Sequence, residues 1–371
     1  MERIVEEFKK ASADPIAYGR ALKEDGRKII AFFCTYTPEE IIHASGVHPM
    51  RLFGTTRDSS AADRHLQAYC CSLVRGALAQ ALSGELDFID GAVFPHTCDS
   101  IQRLSDIWRL NTAYGFFADV VLPVKLTSAS ARSYFEDVLA KLRSDLEKGL
   151  STRISDDDLR ASIRTYNSIR ASLSELYGFV SRGASPLLPG DVSALVRGSM
   201  ILERSAAERL LKELVRAHDG IGRKDTNLKR VMLVGGLCDH PDIYRLLLDS
   251  GALVVWDDLC SGSRYFEGAI PEDGDPIANL AGRYFERAVC PAKHSSTTAR
   301  ARRLVEAAIR ERVQGVIFLQ LKFCDPHAFD YPYLKETLDS HSIPSMLLEI
   351  EDQLPPEGQL LTRFETFVQT I

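Results

Sequence analysis

The sequence contains no CxxC pair, no glycine loop closed by Lys-Ser/Thr, no apolar run approaching a membrane span and no surplus of basic charge. Each absence removes a class of function. Without closely spaced cysteine pairs, a zinc ribbon or ferredoxin-type site has no support. Without a P-loop the chain is expected not to hydrolyse ATP itself. A formal net charge of −6 gives no footing for nucleic acid as a partner. The start, MERIVEEFKK, reads as a charged helix rather than a secretory leader, so a cytoplasmic protein with no membrane association is expected. In a reducing compartment the eight cysteines are buried apolar residues or ligands, not disulfides.

What the sequence does hold is alternation. A helical lead-in occupies 1–25, and Lys28–Phe33 reads as a strand. The helix Pro38–Ser45 follows, with Thr37 as N-cap, Pro38 at its first position and Glu39 and Glu40 in its first turn. A helix over Asp63–Leu82, a strand over Phe88–Phe94, a helix over Ser100–Leu110 and a strand over Phe117–Pro123 continue the βα pattern. From Ser130 to about Asp219 the pattern is almost wholly helical, broken at Gly183, Pro189 and Gly190. Strands at Val231–Val234, Leu253–Trp256, Gly315–Gln320 and Ser345–Glu349 then alternate with helices at Pro241–Asp249, Ile277–Glu286, Ser296–Arg310 and Tyr331–Ser340. The expected class is α/β: two Rossmann-like lobes with parallel sheets, 1–129 and 228–371, joined by a helical section, 130–227.

Four cysteines sit just past apolar or aromatic runs: Cys34 after IIAFF, Cys98 after GAVFPHT, Cys260 after VVWDDL and Cys324 after GVIFLQLKF. In an α/β protein these are carboxyl ends of strands, where ligands collect in the crevice at a topological switch point. Several thiols directed at one crevice point to a soft metal centre, above all an iron–sulfur cluster. Cys71 is read near the start of a helix, where the dipole favours a thiolate. Cys290 lies in a loop before Lys293 and His294 and reads as a ligand or a sensor. Cys70 and Cys238 read as core.

Acid–base groups concentrate in CTYTPEEIIHASGVHP, with Glu39 and His43 four residues apart on one helix face and His48 beyond. They can serve general acid–base chemistry, or form a surface ion pair plus a loop histidine. Gly235-Gly236 lies between a strand and a helix, as a phosphate-binding turn would, but lacks the rest of either fingerprint. Arg264, in GSRYF, is an anion-binding candidate or a surface arginine.

The stretches FFCTYTPEEIIHASGVHPMRLFG, AYCCSLVRGAL, DFIDGAVFPHTCDSIQRLSDIW, DDLCSGSRYF, GVIFLQLKFCDPHAFDYPYL, IPSMLLEIE and EGQLLTRFETFVQ together resemble the 2-hydroxyacyl-CoA dehydratase and benzoyl-CoA reductase superfamily. They span both lobes in order, and look most like the smaller cluster-carrying subunit of an ATP-dependent benzoyl-CoA reductase. The resemblance implies a 4Fe-4S cluster in the crevice between the lobes, held by Cys71, Cys98 and Cys324. One branch of the superfamily carries a double cubane and typically has Cys-Pro where this chain reads Glu85-Leu86, which argues for a single cubane; Cys34, Cys260 and Cys290 leave that open. The implied partners are a homologous cluster-bearing subunit, a separate iron–sulfur ATPase activator and an acyl-CoA substrate. The implied chemistry is transfer of one electron to the thioester, giving a ketyl-type radical anion. Ring reduction follows in a reductase, and expulsion of hydroxide in a dehydratase. His43, His48 and Glu39 are the proton-handling candidates and Arg264 the candidate cofactor-binding residue.

Overall fold

A computed structural model describes residues 1–54, 59–222, 227–238, 240, 242–287, 290–293, 298–351 and 354–371. The N-terminal lobe begins with helices α1 (Glu2–Ala13) and α2 (Pro15–Glu24), the latter capped by Asp14, whose Oδ1 accepts from the Ala17 N–H at 2.9 Å. Then come β1 (Ile29–Phe32), α3 (Glu39–Ala44), β2 (His48–Arg51), a single 3₁₀ turn (Ser60–Arg64), α4 (Ser72–Leu82), β3 (Gly91–Pro95), α5 (Asp99–Asn111) and β4 (Phe116–Val120). The helical section holds α6 (Ala129–Leu150), α7 (Asp156–Ser181), α8 (Pro189–Ser199) and α9 (Arg204–Arg216). The C-terminal lobe holds β5 (Lys229–Gly235), α10 (Asp242–Asp249), β6 (Ala252–Asp258), α11 (Ser263–Phe266), α12 (Pro276–Glu286), α13 (Ala299–Arg310), β7 (Gly315–Leu321), α14 (Asp325–Ser340), β8 (Ser345–Ile350) and α15 (Glu357–Thr370).

Each lobe is built on a four-stranded, all-parallel sheet. The orders are β2-β1-β3-β4 and β6-β5-β7-β8, so both lobes repeat one topology. The chain reverses direction across the sheet between β1 and β3 in one lobe and between β5 and β7 in the other. Those are the switch points where the carboxyl ends of strands leave a crevice. The central strands are buried on both faces, as their continuous apolar runs require.

The two-lobed α/β reading holds, with local differences. The stretch read as one helix over 63–82 is a 3₁₀ turn, an irregular segment and then α4, so Cys71 becomes an N-cap. His48, read as a loop residue, opens β2, the edge strand that pairs with β1. Helix α14 begins at Asp325, six residues before the expected start, and runs through Pro332. Pro241 and Ser296, where two helices were expected to start, lie outside the described residues.

Candidate metal centre between the lobes

Three helices meet at the crevice with a cysteine at the N-cap: Cys71 before α4, Cys98 before α5 and Cys324 before α14. Serine, threonine, aspartate and asparagine are the usual caps. A thiol here brings the positive end of a helix dipole against its sulfur. None of the three makes a full capping bond. Burial pushes all three thiols up, Cys98 to about 12; the N–H groups of Val74, Ile101 and His327, each at the third helical position, oppose that rise. Neutral thiols are thus disfavoured from ionising until something compensates a thiolate, and a bound metal does so.

The three thiols line one cavity of about 480 Å³ together with Cys290, Lys293, Arg300, Phe323, Phe329 and Tyr333. Among the described residues, no three or more His, Cys, Asp or Glu side chains close round a single ion position. A mononuclear site needs thiolate sulfurs about 2.3 Å from one ion. A cluster spreads its ligands, one thiolate to each of several irons, so thiols spaced round a cavity fit a cluster better. The donor set is soft, as iron–sulfur chemistry requires.

Asp99, Asp325 and Asp330 line the cavity with Lys293 and Arg300, and Arg264 lies outside that lining. Lys293 is buried, and among the described residues its Nζ donates to two carbonyls, His96 O at 3.3 Å and Leu122 O at 3.5 Å. Burial pulls its pKa down, while Cys290, Cys34 and Cys98 act the other way. Arg264 is buried as well, and its Nη2 donates to Gly235 O. Its Nε stands 3.7 Å from Asp258 Oδ1, and neither Nε nor Nη1 has a hydrogen-bond acceptor. The groups electrostatically coupled to it include Cys260 and Cys290. Arg300, by contrast, is committed to Asp258 and Asp330.

A family model described as 2-hydroxyglutaryl-CoA dehydratase, D-component, matches residues 34–371. The chain belongs to this family. It is 29% identical to a benzoyl-CoA reductase subunit of Thauera aromatica, over 97% of this chain and 99% of that one. It is 25% identical to the (R)-phenyllactyl-CoA dehydratase beta subunit of Clostridium sporogenes, over 100% of this chain and 99% of the relative. It is also 25% identical to the beta subunit of (R)-2-hydroxyglutaryl-CoA dehydratase of Acidaminococcus fermentans, over 99% of each. These relatives are subunits of larger enzymes.

In this D-component family chain the other sequence candidates fall in two places. Buried Cys290 lines the cavity; half-buried Cys34 and Cys260 do not, but they and Arg264 are close enough to Cys290 to act on its thiol electrostatically. His294 is outside the described residues. Glu39, His43 and His48 are not among the residues lining the cavity. Instead they pack against the helical section. Glu39 Oε2 accepts from Arg204 Nη2 at 3.0 Å and from Tyr166 Oη at 3.2 Å. His43 Nδ1 is 2.9 Å from Ser162 Oγ, and His48 Nε2 donates to Ile201 O at 2.8 Å. Glu39 and His43 form no pair with each other, and both Glu39 and Arg264 are interior rather than surface groups. Gly235 is explained by packing, since a Cβ there would stand 2.1 Å from Leu319 O. Sequence reading gave no role to Lys293 or Phe323. Their signal is weak: each lies within three residues of a cavity cysteine.

Proposed function

We propose that this chain is the iron–sulfur subunit of an enzyme of the ATP-dependent benzoyl-CoA reductase type, passing single low-potential electrons to an aromatic acyl-CoA thioester. The observation that carries this is the convergence of Cys71, Cys98 and Cys324, from three helix N-caps in two lobes, on one cavity. When bound, a 4Fe-4S cluster supplies one-electron transfer at low potential. The chain's own residues do the rest. Cys71, Cys98 and Cys324 would hold such a cluster through their thiolates. The N-termini of α4, α5 and α14, with Lys293 and Arg264, offset the negative charge. Phe323, Phe329 and Tyr333 offer apolar surface at the solvent-facing side of the cavity, where they are exposed in this chain. Glu39, His43 and His48 serve in this reading as framework that fixes α3 and β2 against the helical section.

The absence of a P-loop supports a division of labour in which a separate iron–sulfur ATPase activator supplies the electron. The enzyme is completed by a homologous, cluster-bearing partner chain. A cytoplasmic location belongs to this reading, because eight free thiols suit a reducing compartment. No helix among the described residues is long and apolar enough to cross a membrane. A radical 2-hydroxyacyl-CoA dehydratase is the second reading, favoured by the family model's description and by the dehydratase beta subunits among the relatives.

The test begins with iron, sulfide and EPR on anaerobically purified protein. About four irons per chain, lost in a C71A/C98A/C324A variant, is the expected result for one cubane. Full iron in that variant, or zinc alone in the wild type, overturns the assignment. About eight irons would bring Cys34, Cys260 and Cys290 into a second site. The complex reconstituted with ATP and a strong reductant is then offered each CoA ester. A cyclic dienoyl-CoA from benzoyl-CoA supports the reductase; an enoyl-CoA from a 2-hydroxyacyl-CoA, with benzoyl-CoA inert, selects the dehydratase.

A further inference from the structure

Four non-glycine residues among those described have positive φ: Ser151, Arg312, Phe323 and Ser342. Three of them end helices. Ser151 is the C-cap of α6, while Arg312 and Ser342 follow the C-caps of α13 and α14. A left-handed residue at a helix end is ordinary, because it lets the chain turn away and satisfy the last carbonyls. Phe323 has no such reason. It lies between β7 and α14, with φ of 63°. The Cys324 N–H donates to Leu321 O at 3.0 Å, so Leu321–Cys324 is a β-turn with Phe323 at its third position. With φ positive there and not at Lys322, the turn is of the type that calls for glycine. An aromatic side chain there strains the backbone, because its Cβ crowds the neighbouring carbonyl.

The ring is anomalous a second time. It is 40% exposed, yet it lines the cavity immediately beside Cys324. Burial therefore does not explain why phenylalanine occupies a glycine position. Lys322 Nζ, ion-paired with Glu351 on a side chain 47% exposed, stands 5.5 Å from the ring centroid, so the ring meets a surface cation on that side rather than core.

We propose that Phe323 is a positioning and shielding residue: its left-handed turn presents the Cys324 sulfur to the cavity while its ring closes the wall between that sulfur and solvent. The inference rests on the proposed cluster ligation by Cys71, Cys98 and Cys324. The ring slows access of water, oxygen and chelators to the metal–sulfur bond at Cys324. It also holds the local dielectric low, which disfavours the more negative, reduced state of the centre.

The experiment compares wild type, F323G and F323L as full chains purified anaerobically. Wild-type iron content tests the ligation alone: a wild type without cluster sinks the proposed function and leaves the turn geometry to be judged on the apo-proteins. Apo F323G is expected to melt no lower than the apo wild type, since glycine relieves the turn. Loaded F323G is expected to hold wild-type iron, to lose it to an exogenous chelator at least about five-fold faster, and to show a midpoint potential shifted to more positive values. F323L, which keeps an apolar wall, is expected to restore chelator resistance. Equal chelator rates and equal potentials in wild type and F323G would overturn the proposal. So would an F323G protein that folds but takes up no iron, because the ring would then act in assembly rather than in shielding.

Discussion

A sulfur accepts hydrogen bonds more weakly than a hydroxyl oxygen, so each cysteine N-cap leaves its helix less well capped than serine would. Cys98 and Cys324 stood out in the sequence because each follows an apolar run and precedes an aspartate, the pattern of a strand end, although the helix after Cys324 was expected only from Tyr331 and opens at Asp325. Lys293 and Phe323 were not legible, since a loop lysine and a turn phenylalanine carry no periodic signal. The partners of Glu39 were equally hidden, because Tyr166 and Arg204 lie 127 and 165 residues away. The capping geometry gives a prediction that separates fold from ligation. Cys98→Ser should raise the stability of the apo-protein by about 0.5–1 kcal/mol, because serine caps α5 better. The same substitution should strip or loosen the iron, since a hydroxyl is a poor ligand beside a thiolate. Urea titration of the apo-protein and iron analysis of the anaerobic preparation check the two halves. A drop in apo stability on C98S would mean that the thiol is held by packing rather than by the cap position.

Two of the elements that the sequence misplaced carry a proline in an unusual place. The sequence offered His48 as an acid–base group or a loop histidine; it opens β2, whose Pro49 is accommodated because β2 lies at the sheet edge, where one missing N–H is tolerated. Pro332 suggested a boundary that α14 crosses. The β2 placement changes what His48 does. Burial pushes His48 down to about 3 and His43 to about 4, with the Arg204 cation pressing both the same way. The facing groups include Glu40 and Glu203, which pull His43 back up without overcoming burial. Both imidazoles are therefore neutral in the folded chain and have ordinary values near about 6.5 when it unfolds. The unfolded state binds more protons below about 6.5, so the stability these histidines support is full above that pH. It falls as pH drops from 6.5 towards 4, where His43 is lost, and continues to fall towards 3 for His48. Burial raises Asp257 to about 6 and Glu39 as well, which works the other way, so the test is a difference between proteins: the apo His48→Gln variant, which keeps a donor to Ile201 O, should lose less melting temperature than wild type between pH 6.5 and 4. An identical slope in H48Q and wild type would count against a buried neutral His48.

The whole molecule is tied together by parts that the sequence showed as separate. The strand–helix alternation made the two lobes legible, and the run of helical pattern marked the section between them. Which face of each amphipathic helix meets which lobe is not written in periodicity. Helix α7 supplies Leu159 and Ile163 to a core shared with β1, β3 and β4, and Ile169, Leu173 and Leu176 to a core shared with β5, β7 and β8. Helix α1, at the start of the chain, packs Ile4, Val5 and Phe8 into that second core. Polar ties cross at the crevice: Tyr284 Oη donates to Thr37 O at 2.9 Å, and Arg51 Nη1 to Cys260 O at 2.9 Å. A helix embedded in both cores makes each lobe's packing depend on the other's. We therefore expect the apo-protein to unfold in one cooperative transition, with equal calorimetric and van't Hoff enthalpies. Leu173→Ala, at a fully buried α7 position, should lower that single transition by about 2–5 kcal/mol rather than split it. Two resolved transitions in the wild type, or a split one in L173A, would show that the lobes are thermodynamically separate and that the crevice is held open or closed by weaker forces than a shared core.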